Sequence, residues 1–247
     1  MQNFIPIASK LLNWYDHNAR RLPWRIHPEQ SRNGIKANTY HIWLSEIMLQ
    51  QTTVDVVKPY YKFFLKKWPT IAELAFADHD EVLEAWAGLG YYRRAQNLVQ
   101  CAKLIVKNYN GIFPKDEKIL LTLPGIGIYT AAAIRSIGFN EKANVIDSNV
   151  SRIISRLFAI KKPISISEKK IRQCASSLIP SDRFGDYAQA LMDLGSQICT
   201  PKNPQCGTCP INQACKSYSL GITNQIPTDI KKKPKPMRYG YAFVTLT

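Results

Sequence analysis

The chain is short of acid: 18 Asp and Glu stand against 33 Lys and Arg in 247 residues, a formal charge of +15. Long apolar runs are also missing. None approaches the roughly eighteen residues that a bilayer-spanning helix needs, so no membrane span is expected. The N-terminus, MQNFIPIASKLLNWYD, has no basic start, long apolar stretch or small-residue cleavage site, which argues against secretion. Strand-like alternation is scarce before YAFVTLT at 241–247, so sheet has little place in the fold. With 21% charged residues, 12 Gly and 15 Pro, the composition is neither disordered nor fibrous, and 45% hydrophobic residues suffice for one large domain or two small ones. A soluble, cytoplasmic, all-α protein is the expectation.

An excess of positive charge points to an anionic partner, nucleic acid before others, against the plainer reading of a solvated surface. A basic tail does not account for it. IKKKPKPMR at 230–238 carries five positive charges, and the rest still has 28 basic residues against 18 acidic ones. Helical spacing is clear in QNLVQCAKLIVK (96–107) and NVSRIISRLF (149–158), where Val150, Ile153, Ile154 and Leu157 fall on one face. Similar patterns cover 5–15, 40–51, 80–87, 129–137 and 187–195. By contrast, 26–39 reads as a polar loop, 199–216 as irregular and 223–238 as a basic linker. The strand-like 239–247 looks like the first strand of a further domain.

Four of the six cysteines form a C-x6-C-x2-C-x5-C run at Cys199, Cys206, Cys209 and Cys215. Such clustering suits a metal better than disulfides. Zinc and a [4Fe–4S] cluster both accept four thiolates, and the single C-x2-C knuckle favours iron–sulfur. Cys101 and Cys174 lie on helical patterns and read as small core residues. At 121–134, LTLPGIGIYTAAAI sets Pro-Gly-Ile-Gly between helical segments. Its two glycines permit a tight turn with outward N–H groups, which at a helix start can bind phosphate. A loop merely joining packed helices is the ordinary alternative.

Two carboxylates differ in setting. Glu46, inside IWLSEIMLQQT, is surrounded by Ile42, Trp43, Ile47 and Met48, so desolvation should raise its pKa towards neutrality. Asp147 directly precedes a helix, where the dipole and free N–H groups keep a carboxylate charged. One proton-holding and one ionised carboxyl suit the cleavage of a glycosidic bond. The competing readings are a core ion pair for Glu46 and an ordinary cap for Asp147.

WYDHNARRLPWR (14–25), WLSEIMLQQT (43–52), GLGYYRRAQNL (88–98), LPGIGIYTAAAI (123–134), IDSNVSRIISR (146–156), MDLGSQICT (192–200) and the four cysteines occur in this order. Together they resemble adenine DNA glycosylases of the MutY type, in the helix-hairpin-helix superfamily. The resemblance covers nearly all of 5–225. It implies a six-helix barrel domain at 31–140 and an iron–sulfur domain from 1–30 and 141–222, with the active site between them. It further implies a [4Fe–4S] cluster on the four cysteines and a monomer acting on duplex DNA that contains adenine opposite 8-oxoguanine or guanine. By the same resemblance, Glu46 protonates the adenine base, Asp147 stabilises the sugar cation, and Tyr129 and Asn149 assist them. Trp24 and Arg25 line the base pocket. Gln51 and Tyr91 enter the base stack, Gln50 beside them binds DNA, and Leu123, Gly125 and Gly127 meet the DNA backbone. Endonuclease III-like enzymes carry a lysine where Tyr129 stands, which implies little or no strand-cleaving lyase activity here.

Three departures from the family pattern stand out: Ser148 in place of glycine, a long 26–39 loop, and a C-terminal 8-oxoguanine-reading domain represented only by 239–247. The rivals are a thymine or uracil mismatch glycosylase of the same superfamily and a non-catalytic, metal-stapled DNA-binding module. Gln50-Gln51 argues against the first, and the settings of Glu46 and Asp147 against the second.

Overall fold

Polar residues at helix starts decide where many elements begin in the computed structural model, which describes residues 5–228, 237 and 240. Asn38 accepts the Tyr40 N–H at 2.9 Å, Asp78 the Asp80 N–H at 3.0 Å, and Asp116 the Ile119 N–H at 3.0 Å. Each satisfies a backbone donor that the first helical turn leaves free. Thr70 and Glu73 form a reciprocal capping box. In chain order the helices are α1 (Ile5–Asn18), α2 (Pro28–Arg32), α3 (Thr39–Met48), α4 (Val54–Lys67), α5 (Ile71–Phe76), α6 (His79–Ala85) and α7 (Arg93–Tyr109). Then follow α8 (Glu117–Leu120), α9 (Ile128–Ala133), which widens into a π-turn at Ile134–Gly138, α10 (Ser148–Leu157), α11 (Ile164–Ser176), α12 (Phe184–Gln197) and α13 (Lys216–Ser219). No strand occurs among the described residues, and the fold is all-α. None of these helices is long and apolar enough to cross a membrane.

Several elements differ from the sequence reading. The 26–39 loop contains α2, where Pro28 supplies a preset backbone angle at the first helical position and Gln30 takes the His27 N–H at 3.1 Å. The irregular 199–216 stretch holds two 3₁₀ turns, and α13 begins at Lys216. Helix α3 stops at Met48 rather than 51, because Gln51 turns into the left-handed region at φ 60°. Helices α4, α5 and α11 escape the apolar pattern. Helix α4 carries Pro59 inside it, α5 is only six residues long, and α11 opens with an alternating Ile-Ser-Ile-Ser. The expected strand at 239–247 lies outside the described residues, apart from Gly240.

Two large apolar clusters hold the helices. The first gathers Trp43, Phe64, Leu74, Trp86 and Leu98 from α3–α7, and Leu22 and Trp24 from the N-terminal arm join it. The second joins Leu11 and Tyr15 of α1 to Ile154 of α10 and to Leu191 and Leu194 of α12. Each fully buried side chain of this kind contributes about 1.5–3 kcal/mol relative to exposure. A small patch of Ala132, Ala133, Val145, Ala188 and Met192 forms a third cluster. Gly195 lets α12 come up against α10, since a Cβ there would stand 2.6 Å from Asn149 Cβ.

Candidate active site

Glu46 sits in the last turn of α3, which is buried from Ile42 to Met48 and leaves the residue only 6% exposed. Burial pushes its pKa up to about 7. A hydrogen bond from the Tyr129 hydroxyl and the Arg25 charge pull the other way, and nearby Asp147 adds to the rise. Tyr129 is the second residue of α9, just past the hairpin, and burial followed by the Glu46 charge keeps its phenol protonated. Asp147 caps α10, accepting the Val150 N–H at 2.7 Å and the Asn149 Nδ2 at 2.9 Å. It is therefore a helix cap and a neighbour of Glu46 at once. These groups line one cleft of about 430 Å³ with Trp24, Arg25, Gln50 and Ser148.

Arg25 does not pair with Glu46. Its Nη1 lies 2.8 Å from both carboxylate oxygens of Asp193, which also binds Arg20 through Nε at 2.5 Å and the backbone N–H at 2.9 Å. Asp193 is fully buried in α12 and anchors the N-terminal arm beneath the cleft. Neither it nor Gln189, also on α12, is among the residues expected from sequence. Gln189 is 5% exposed, lines the cleft, and donates through Nε2 to Gly185 O at 3.2 Å, while its Oε1 has no protein partner. An unpaired buried acceptor beside a cavity is suited to a ligand donor. Continuous burial from Gly185 to Gly195 is the feature that gives both polar residues meaning.

Other expected residues lie elsewhere. Gln51 and Tyr91 stand outside the cleft and are exposed, Tyr91 by 67%. Leu123 has its side chain in the first apolar cluster, leaving its backbone as the part able to meet a partner. The two hairpin glycines also differ. Gly125 needs its φ of +77°, whereas Gly127 is extended and exposed, with nothing within 4 Å of where a Cβ would stand. Ser148 takes an ordinary place in the first turn of α10, so the backbone there does not require glycine. The 26–39 segment contributes nothing to the cleft lining; Ile26, Ser31 and Gly34–Ala37 border a separate cavity instead.

The four clustered cysteines form no disulfide and surround one small void, with Arg156 and Ile198 beside them. Burial pushes Cys209 up to about 12 and raises Cys215 as well, and the neighbouring thiols add to both. Four thiolates held this way call for cationic metal. Among the described residues, no three His, Cys, Asp or Glu side chains are arranged to hold a single ion. Arg156, 1% exposed, places Nη1 at 3.4 Å from Cys199 Sγ and 2.6 Å from Thr200 O. One turn earlier on α10, Arg152 links Cys199 O at 2.8 Å to Asn149 Oδ1 at 2.8 Å.

A family model described as HhH-GPD superfamily base excision DNA repair protein matches residues 44–181, and the iron–sulfur binding domain of endonuclease III matches 199–215. An adenine DNA glycosylase of Mycolicibacterium smegmatis is 40% identical over 213 residues, which cover 86% of this chain and 70% of that one. The chain belongs to the adenine DNA glycosylase family. Its relative of that name in Arabidopsis thaliana is 41% identical over 257 residues, or 93% of this chain and 40% of the plant protein. The chain spans less than two thirds of the length of several curated relatives it matches. A solved structure of a thermostable thymine-DNA glycosylase superposes with a TM-score of 0.75 at 28% identity, covering 88% of this chain and 97% of that one. The family's helix-hairpin-helix fold and its iron–sulfur segment are thus both present, the latter holding all four clustered cysteines.

Proposed function

We propose that this chain is a monofunctional adenine DNA glycosylase that extrudes adenine from duplex DNA, where it lies opposite 8-oxoguanine or guanine, and hydrolyses its glycosidic bond. The observation that carries the reading is one cleft in which Glu46, held near pKa 7, faces Asp147 fixed by a helix start. The names of the 40–41% identical relatives support the choice of base. Glu46 gives its proton to the base ring nitrogen N7, and the C1′–N9 bond breaks with its electron pair leaving on adenine. Asp147 stabilises the sugar cation until water adds at C1′ and passes its proton to the Glu46 carboxylate, leaving an abasic sugar. Gln189 Oε1 accepts from the exocyclic amino group of adenine, and Trp24 and Arg25 close the pocket.

Absence of lyase activity is part of the proposal. Such activity needs an amine for a Schiff base, and among the described residues no lysine lines the cleft. Gly125 and Gly127 present hairpin N–H groups to the phosphates, and Gln51 and Tyr91 fill the space left by the extruded base. The two large apolar clusters serve as barrel and iron–sulfur domains. When bound at the four cysteines, the [4Fe–4S] cluster supplies structural cross-linking and no redox step in the hydrolysis.

Single-turnover base release from duplexes with adenine opposite 8-oxoguanine, adenine opposite guanine, and thymine opposite guanine tests this. Adenine should leave, with strand breakage only after alkali. Release of thymine alone, or breakage without alkali, would overturn the substrate or the monofunctional assignment respectively.

A further inference from the structure

Arg94, the second residue of α7, is 8% exposed and takes oxygen partners from two separate stretches of chain. Its Nη1 donates to Ile47 O at 3.1 Å, Met48 O at 2.9 Å and Gln50 O. Its Nη2 donates to Leu89 O at 2.9 Å, Gly90 O at 3.2 Å and Thr52 Oγ1 at 3.1 Å. Ile47 and Met48 close α3, where helix carbonyls run out of intrahelical N–H partners, and Gln50 lies in the turn just beyond. Leu89 and Gly90 belong to the turn entering α7. The guanidinium also stacks 5.2 Å from the Trp86 ring and 5.6 Å from the Tyr91 ring. Only a planar, multi-donor fork can meet both stretches at once.

A second observation concerns the backbone at the two places this fork holds. Gln51 has φ 60° and Tyr91 has φ 47°, conformations that side-chain-bearing residues adopt rarely and keep only when their surroundings impose them. Gln51 lies between Gln50 and Thr52, both Arg94 partners, and Tyr91 follows Gly90. Both side chains are exposed.

We infer that Arg94 is a positioning residue that locks the Gln51 and Tyr91 turns to each other and to the last turn of α3, so that both enter the base stack as one rigid unit while Glu46 stays in register. The inference rests on the base-extruding reading proposed above and assigns the coupling of its two exposed turns to a residue that touches neither base nor phosphate.

The test uses full-length Arg94→Lys, which keeps the charge and the aliphatic stem but loses the fork. Release of adenine from a fully paired duplex, opposite 8-oxoguanine, should slow by about tenfold or more, because extrusion is impaired. Release from a duplex whose target adenine sits in a single-nucleotide bulge, already unstacked, should stay within about threefold of wild type. Amide exchange at 50–52 and 89–91 should rise together, by roughly tenfold, with exchange in α10 and α12 unchanged. Equal losses on both duplexes, no loss on either, or faster exchange in one turn alone would overturn the inference. Should the wild-type protein release adenine from no duplex, the functional reading fails, and the exchange data still decide whether Arg94 couples the turns.

Discussion

Burial raises the Glu46 carboxyl to about 7, while the Tyr129 hydroxyl, by donating to it, favours the ionised form. If the protonated acid is the active species, the rate falls as pH rises through that pKa. Tyr129→Phe removes a contribution that lowers the pKa, so the alkaline limb of the single-turnover profile should move to higher pH. A limb unmoved or displaced to lower pH would contradict the hydrogen bond's role. The same sign applies to stability. A carboxyl raised above its ordinary 4.5 holds its proton more tightly when folded, so the stability it confers is complete below 4.5 and declines as pH rises towards 7. Asp147 has different surroundings: it accepts the Val150 N–H at 2.7 Å and the Asn149 amide at 2.9 Å at the start of α10. Two like side chains are thus set to opposite tasks by their surroundings.

Helix α12 connects the parts of the site. It packs on α1 and α10, carries Gln189 and Met192 at the cleft, and holds Arg20 and Arg25 through Asp193. Asp193 is fully buried and the Arg25 side chain is 7% exposed, so removing the acid strands a buried cation. Asp193→Ala should therefore cost about 3–5 kcal/mol in urea unfolding and loosen the arm that bears Trp24. A loss below about 1 kcal/mol would mean that water or another group replaces the carboxylate. Helix α10 plays the matching part on the other side. Its first turn holds Asp147, and its buried arginines Arg152 and Arg156 reach the backbone at Cys199 and Thr200, which opens the cysteine-bearing segment.

Across the whole molecule, the all-helical class, the cysteine cluster, the apolar setting of Glu46 and the helix-start position of Asp147 could be read from sequence, because each is a local property of spacing or neighbours. Regular apolar spacing also reveals α1, α7, α10 and α12. It hides α5, which is only six residues long, and α11, which is largely exposed apart from Ser167, Ile171 and Ala175. Polar residues that matter through long-range contact were not legible. Asp193 and Arg25 are 168 residues apart, and Arg94 meets Ile47 across 47. Their roles exist only once α3, α7 and α12 are packed. The meeting of Glu46 with Asp147, about a hundred positions later, is likewise a product of the fold. Single-turnover adenine release by wild type, Glu46→Gln and Asp147→Asn, from adenine opposite 8-oxoguanine, tests that meeting most directly. Asparagine caps a helix nearly as well as aspartate, so the second variant should fold normally. Both variants are expected to lose about 10²–10⁴-fold in rate with iron–sulfur absorption intact. A rate close to wild type in either variant would contradict the two-carboxylate site.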